Sequence, residues 1–148
     1  MFRYALFVLV VMVGTIVAQE APMMSQHFKP GDPLHYYVRF DGNPELTGLT
    51  VSFQLQEEMK KDQAGFSSGF TLSGMKSVSP GLFEVNGTIP NNAATGKYQL
   101  IQVTAVHSPA GRSYNYPKDF SEKVTIEIVN DAGYNFPPIK SISPNPPK

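Results

Sequence analysis

Two stretches of this sequence carry side chains whose types could hold a metal ion. "MMSQH" (residues 23–27) offers the thioethers of Met23 and Met24 and the imidazole of His27, soft donors of the kind that take copper. "DGNPE" (41–45) sets Asp41, Asn43 and Glu45 at alternate positions, the spacing with which a calcium loop begins. Neither set is complete. The first is read as the start of a mature chain, with copper carriage as the alternative, and the second as a turn, since the terminal bidentate glutamate is missing. His27, His35 and His107 include no pair at helical metal-site spacing, and no cofactor is expected.

Acid-base and nucleophilic chemistry find even less. A serine hydrolase needs a histidine and an acid that converge on the serine, and a glycosidase needs two facing carboxylates. The serines are read as lacking a nucleophile elbow, and Glu57 and Glu58 are adjacent, so on a strand they would point apart. The chain is expected not to be an enzyme. Its best binding residues are rings: "SYNYPKDF" (113–120) places Tyr114, Tyr116 and Phe120 in the connection ahead of the last strand. Tyrosines on a loop suit a protein or glycan partner; the competing reading folds the same rings back over the core.

These residues must be positioned by short strands. Twelve glycines and 13 prolines among 148 residues exceed the ordinary share of about 12%, so breaks are frequent. "LHYYVRFD" (34–41) alternates Leu34, Tyr36, Val38 and Phe40 with polar or outward residues, and "LTVSFQLQ" (49–56) does the same with Leu49, Val51, Phe53 and Leu55. This is the period of half-buried strands. "EEMKKDQAG" (57–65) is aperiodic, one helical turn or a surface loop. "FSSGFTLSG" (66–74) reads as a weak edge strand, "LFEVNGTI" (82–89) turns Phe83, Val85 and Ile89 to one side, and "FSEKVTIEIV" (120–129) does so with Val124, Ile126 and Ile128. A short strand around "QHFK" (26–29) is possible. Asn86-Gly87-Thr88 matches a glycosylation acceptor but sits inside a strand pattern. Six strands at roughly ten-residue spacing, and about seven with the first, predict an all-β sandwich or barrel.

One strand departs from simple alternation. In "YQLIQVTAV" (98–106), Tyr98 and Leu100 share one parity while Ile101, Val103 and Ala105 share the other. A β-bulge between residues 100 and 102 would absorb the slip, and a strand buried on both faces would also explain it. Just upstream, Gly96 and Tyr98 form a Gly-x-Tyr step that resembles the tyrosine corner of immunoglobulin-like sandwiches.

The span from "GLFEVNGTIPNNAATGKYQLIQVTAVHSPAG" to "KVTIEIVN" resembles the second half of bacterial extracellular immunoglobulin-like domains. The resemblance implies a single antiparallel sandwich over 27–130, with Gly96 and Tyr98 as its structural corner. The family's Asp-x-x-Gly-Asn type turn is replaced by His107-Ser108-Pro109-Ala110-Gly111-Arg112, so a cation site at that turn is not expected.

Composition supplies the address. Arg3, the apolar run 4–13 and the small residues Gly14, Thr15 and Ala18 read as a signal peptide over 1–18. The 15 residues 4–18 fall short of the roughly 20 that span a bilayer, so no stable membrane insertion is expected after removal. A flexible segment, 19–26, follows. The mature chain would be exported, periplasmic or extracellular. Losing Arg3 takes the basic count from 12 to 11 against 12 acidic residues, and the scattered lysines give no basic stripe for nucleic acid. With no cysteine, the domain must be held by its apolar core. Residues 131–148 carry five prolines in the last 12 and are read as a polyproline-like or disordered tail, with a recognition motif as the alternative.

Overall fold

A computed structural model describes residues 26–134 and 136–144. The leader, most of the flexible segment, and Met23 and Met24 lie outside the described residues. Within them the protein is all-β, as the spacing predicts: nine strands in two sheets and a single 3-10 turn at Lys61–Gln63. No helix among the described residues is long and apolar enough to cross a membrane.

The strands are β1 (His27–Phe28), β2 (Pro33–Arg39), β3 (Gly48–Leu55), β4 (Gly69–Leu72), β5 (Gly74–Ser79), β6 (Leu82–Thr88), β7 (Gly96–His107), β8 (Ala110–Asn115) and β9 (Thr125–Ile128). The large sheet runs β1-β9-β7-β3-β4 with β8 also on β7, and the small sheet runs β2-β6-β5. Nine strands replace the expected seven because β5 and β8 were not legible as strands. Their sequences, "GMKSVS" and "AGRSYN", bury almost nothing beyond part of Met75 and Tyr114, and one partly buried side chain per strand leaves no alternation to read.

The core lies between the sheets. Leu49, Val51, Phe53 and Leu55 of β3 are all buried, as are Phe83 and Val85 of β6 and Ile126 and Ile128 of β9. Full burial of each such side chain is worth about 1.5 to 3 kcal/mol. Rings join the layers: Tyr36 of β2 meets Phe53 at 5.4 Å between centroids, and Phe53 stacks on Phe70, which in turn touches Tyr98 at 5.5 Å.

The phase slip in β7 is a bulge. Against β3, Gln102 faces Ser52 and Leu100 faces Phe53, which leaves Ile101 as the extra residue. The corner forms too. Tyr98 is fully buried, and its hydroxyl donates to the carbonyl of Ala94 at 2.9 Å and lies 3.1 Å from that of Ser67. Gly96 has φ +147°, and a Cβ there would fall 2.6 Å from Leu55 Cδ1 and 2.7 Å from Glu57 Oε1; only glycine permits this approach.

A polar clasp below the corner has no counterpart in the sequence pattern. Gln63 is buried, donates through Nε2 to the carbonyls of Asn130 and Ala132 at 2.9 and 2.8 Å, and accepts from the Thr95 N–H at 2.8 Å. Asn130, also buried, donates to the carbonyls of Asn91 and Ala93. Three segments distant in sequence are thereby tied, and the root of the tail is fixed: Tyr134 N–H donates to the Asp62 carbonyl at 2.6 Å.

Candidate functional site

The bulge marks the place where the large sheet opens. β3 follows one side of β7 throughout, but the other side is shared: β9 pairs with Gly96–Gln99 and β8 with Gln102–His107. Between these two pairings the chain leaves the sheet and detours through residues 116–124. The Tyr116 N–H donates to the Ile101 carbonyl and the Leu100 N–H to the Val124 carbonyl, both at 2.9 Å, which pins the two ends of the detour. Asp119 holds its tip, its Oδ2 accepting from the Asn115 N–H at 2.8 Å.

Across from the detour, β2 is an edge strand, paired only with β6. Phe40 N–H donates to Gly81 O and Ile89 N–H to Asp32 O. Antiparallel pairs alternate between bonded and non-bonded, so the even-numbered residues of β2 spend their peptide groups on β6. Those of His35, Tyr37 and Arg39 face the open edge, with no partner among the described residues.

A cleft of about 300 Å³ lies between this edge and the detour. Tyr36, Tyr37, Val38 and Arg39 form one wall, Phe120, Glu122 and Val124 the other, and Val51, Leu100 and Val103 the floor. Apolar side chains dominate, and Arg39 and Glu122 are its charged groups. Burial raises the Tyr36 phenol above its ordinary value, so the hydroxyl stays protonated and can donate. The arrangement can exclude water from apolar side chains while its rim hydrogen-bonds a chain lying along β2.

The three rings singled out from sequence separate. Tyr114 is not in a loop, as expected, but in β8, opposite Val103. Its ring lies 6.1 Å from Phe40 and under the Arg112 guanidinium at 4.8 Å, closing the end of the core. The loop assignment failed because Tyr114 is the one ring in an otherwise small or polar β8, too little to set an alternation. Tyr116 and Phe120 do lie in the connection, their rings 5.8 Å apart, and of the two only Phe120 lines the cleft.

His27 stands in β1 with Nδ1 3.5 Å from Glu127 Oε2, and no group of three or more His, Cys, Asp or Glu that could hold a metal occurs among the described residues. Asn43 of the "DGNPE" turn caps the neighbouring turn instead, its Oδ1 accepting from Gly81 N–H at 3.0 Å. One motif corrects the sequence reading: residues 65–69, Gly-Phe-Ser-Ser-Gly, do match the letters of a nucleophile elbow. The match lacks the strand-to-helix turn such an elbow needs; Ser67 bridges to Ala93 and its hydroxyl is bonded to the Gly69 carbonyl.

The cleft residues of β2 do not stand out in the sequence, because Tyr36 and Val38 read as ordinary inward positions. A sequence shows that a strand alternates, but not that it lies at an edge. The chain matches no protein-family model and no curated protein sequence.

Proposed function

We propose that the protein is an exported, non-catalytic binding module of immunoglobulin-like type that takes an extended segment of polypeptide in the cleft beside β2. The observation that carries this reading is the coincidence of an apolar cleft with the unpaired peptide groups of His35, Tyr37 and Arg39 along one wall. An extended chain supplies both complements at once: main-chain groups for the edge and side chains for the cleft. A glycan is less well served, since a sugar needs several polar groups converging on its hydroxyls and the floor here is Val51, Leu100 and Val103. The contact surface is thus moved from the end loops to the side of the sandwich, with Phe120 common to both. Export rests on the leader over 1–18.

Panning random displayed peptides on the mature chain, 19–148, tests this. Enriched peptides are expected to shift the backbone amide resonances of His35, Tyr37 and Arg39 and to lose binding to Phe120→Ser. Failure to enrich any peptide whose binding depends on the cleft would overturn the reading.

A further inference from the structure

The tail supplies a ligand of the right form. Pro137 and Pro138 hold φ near the polyproline II value, and Ile139 and Ile142, three residues apart, are 77% and 86% exposed. In a polyproline II helix three residues make one turn of about 9 Å, so both isoleucines project from the same edge. In a β-strand they would point to opposite faces, so a tail bound this way fills the cleft with its side chains and does not pair its main chain in register with β2. The cleft wall contributed by four consecutive residues of β2 spans about 10 Å, enough to receive two side chains one such turn apart.

The tail is led away from the cleft of its own chain. From the end of β9 the clasp carries it under Thr95, just ahead of β7, to Asp62, and the Phe136 ring rests on Gly65 beyond the end of β3. The cleft lies farther along β7 from the clasp, over Leu100 and Val103 at the bulge and beside the detour. Lys140, between the two isoleucines, and Glu122, on the cleft wall, form no ion pair among the described residues.

We propose that the cleft receives the tail of a second copy of this chain, with Ile139 and Ile142 seated between β2 and the detour and Lys140 paired with Glu122. This rests on the cleft being a peptide site and names its occupant. Because donor and acceptor surfaces differ, the contact is head-to-tail, and each added copy offers another free cleft or closes a ring.

Sedimentation of the chain 19–148 over a wide range of concentration tests it. The wild type is expected to associate reversibly, whereas Ile139→Ser/Ile142→Ser, altered only at exposed tail positions, and Phe120→Ser each stay monomeric. An equimolar mixture of those two variants, one with an intact cleft and the other with an intact tail, should form a one-to-one dimer and grow no further. Glu122→Lys and Lys140→Glu should each weaken association about fivefold or more, and their combination should restore it. A wild type that stays monomeric throughout, or association that survives in the tail variant, overturns the proposal. If displayed peptides still bind the cleft, that result removes the second copy as occupant and leaves the peptide site standing.

Discussion

The Tyr98 hydroxyl donates to the carbonyl of Ala94, four residues upstream, across 2.9 Å. This bond fixes the entry of β7 and, through the neighbouring Ser67 carbonyl at 3.1 Å, the approach to β4. Tyr98→Phe leaves a buried acceptor short of its donor and should cost about 1 to 3 kcal/mol in a denaturant titration. Tyr114→Phe removes a hydroxyl with no hydrogen-bond partner among the described residues and should cost less than about 0.5 kcal/mol. Equal losses would show that the corner bond contributes nothing.

Burial pushes the Tyr98 phenol up to about 12 from 10.0. A group whose proton is held more tightly in the folded state gives stability that is complete below the unfolded value and lost as pH rises toward the folded one. Between pH about 10 and 12 the wild type should therefore lose about 2 to 3 kcal/mol attributable to Tyr98. Tyr98→Phe should show a correspondingly shallower alkaline decline, measured as the difference between the two unfolding free energies at each pH. Parallel decline of the two proteins would contradict the assignment.

Gln63→Leu keeps much of the buried volume but strips the Thr95 N–H and the Ala132 carbonyl of their partner. The expected cost is about 2 to 4 kcal/mol. Hydrogen exchange should quicken at Thr95 and Tyr134 before it does in β3, because the clasp holds the tail root and not the sheet. Uniform quickening would mean that the clasp is part of the global fold.

Gly96→Ala places a Cβ against Leu55 Cδ1 at a backbone angle that L residues rarely adopt. A loss of about 2 kcal/mol or more is expected in thermal or chemical unfolding. A neutral result would mean that β7 can begin with another geometry.

Legibility in the sequence followed what each residue has to do locally. The change of parity around Ile101 was visible, but it fits a bulge and a strand buried on both faces equally well, and only the pairing with β3 decides for the bulge; the corner was visible because glycine and tyrosine stand two residues apart before an apolar run. Gln63 was hidden: it lies in a polar stretch, and nothing adjacent indicates that its amide is spent on carbonyls more than sixty residues away. β8 was hidden because it gains its place from pairing with β7 and not from burying a face. The cleft depended on both kinds of hidden information, since it exists only where an edge strand and a detour between two half-length partners of β7 confront each other. Of its walls, only Phe120 stands out in the sequence as a binding residue.

The first and last strands are neighbours and run in the same direction: His27 faces Glu127 and Phe28 faces Ile128, with the Val129 N–H donating to the Phe28 carbonyl at 2.9 Å. Traction applied between the segment ahead of β1 and the tail beyond β9 would draw these strands in opposite directions along one axis. Their hydrogen bonds would then carry the load together in shear, where an antiparallel pair of terminal strands would be peeled apart one bond at a time. The Asn130 amide, anchored on the Asn91 and Ala93 carbonyls, lies immediately beyond β9 on the same load path. A sandwich without a single disulfide thus has its ends fastened in the orientation that best resists being stretched.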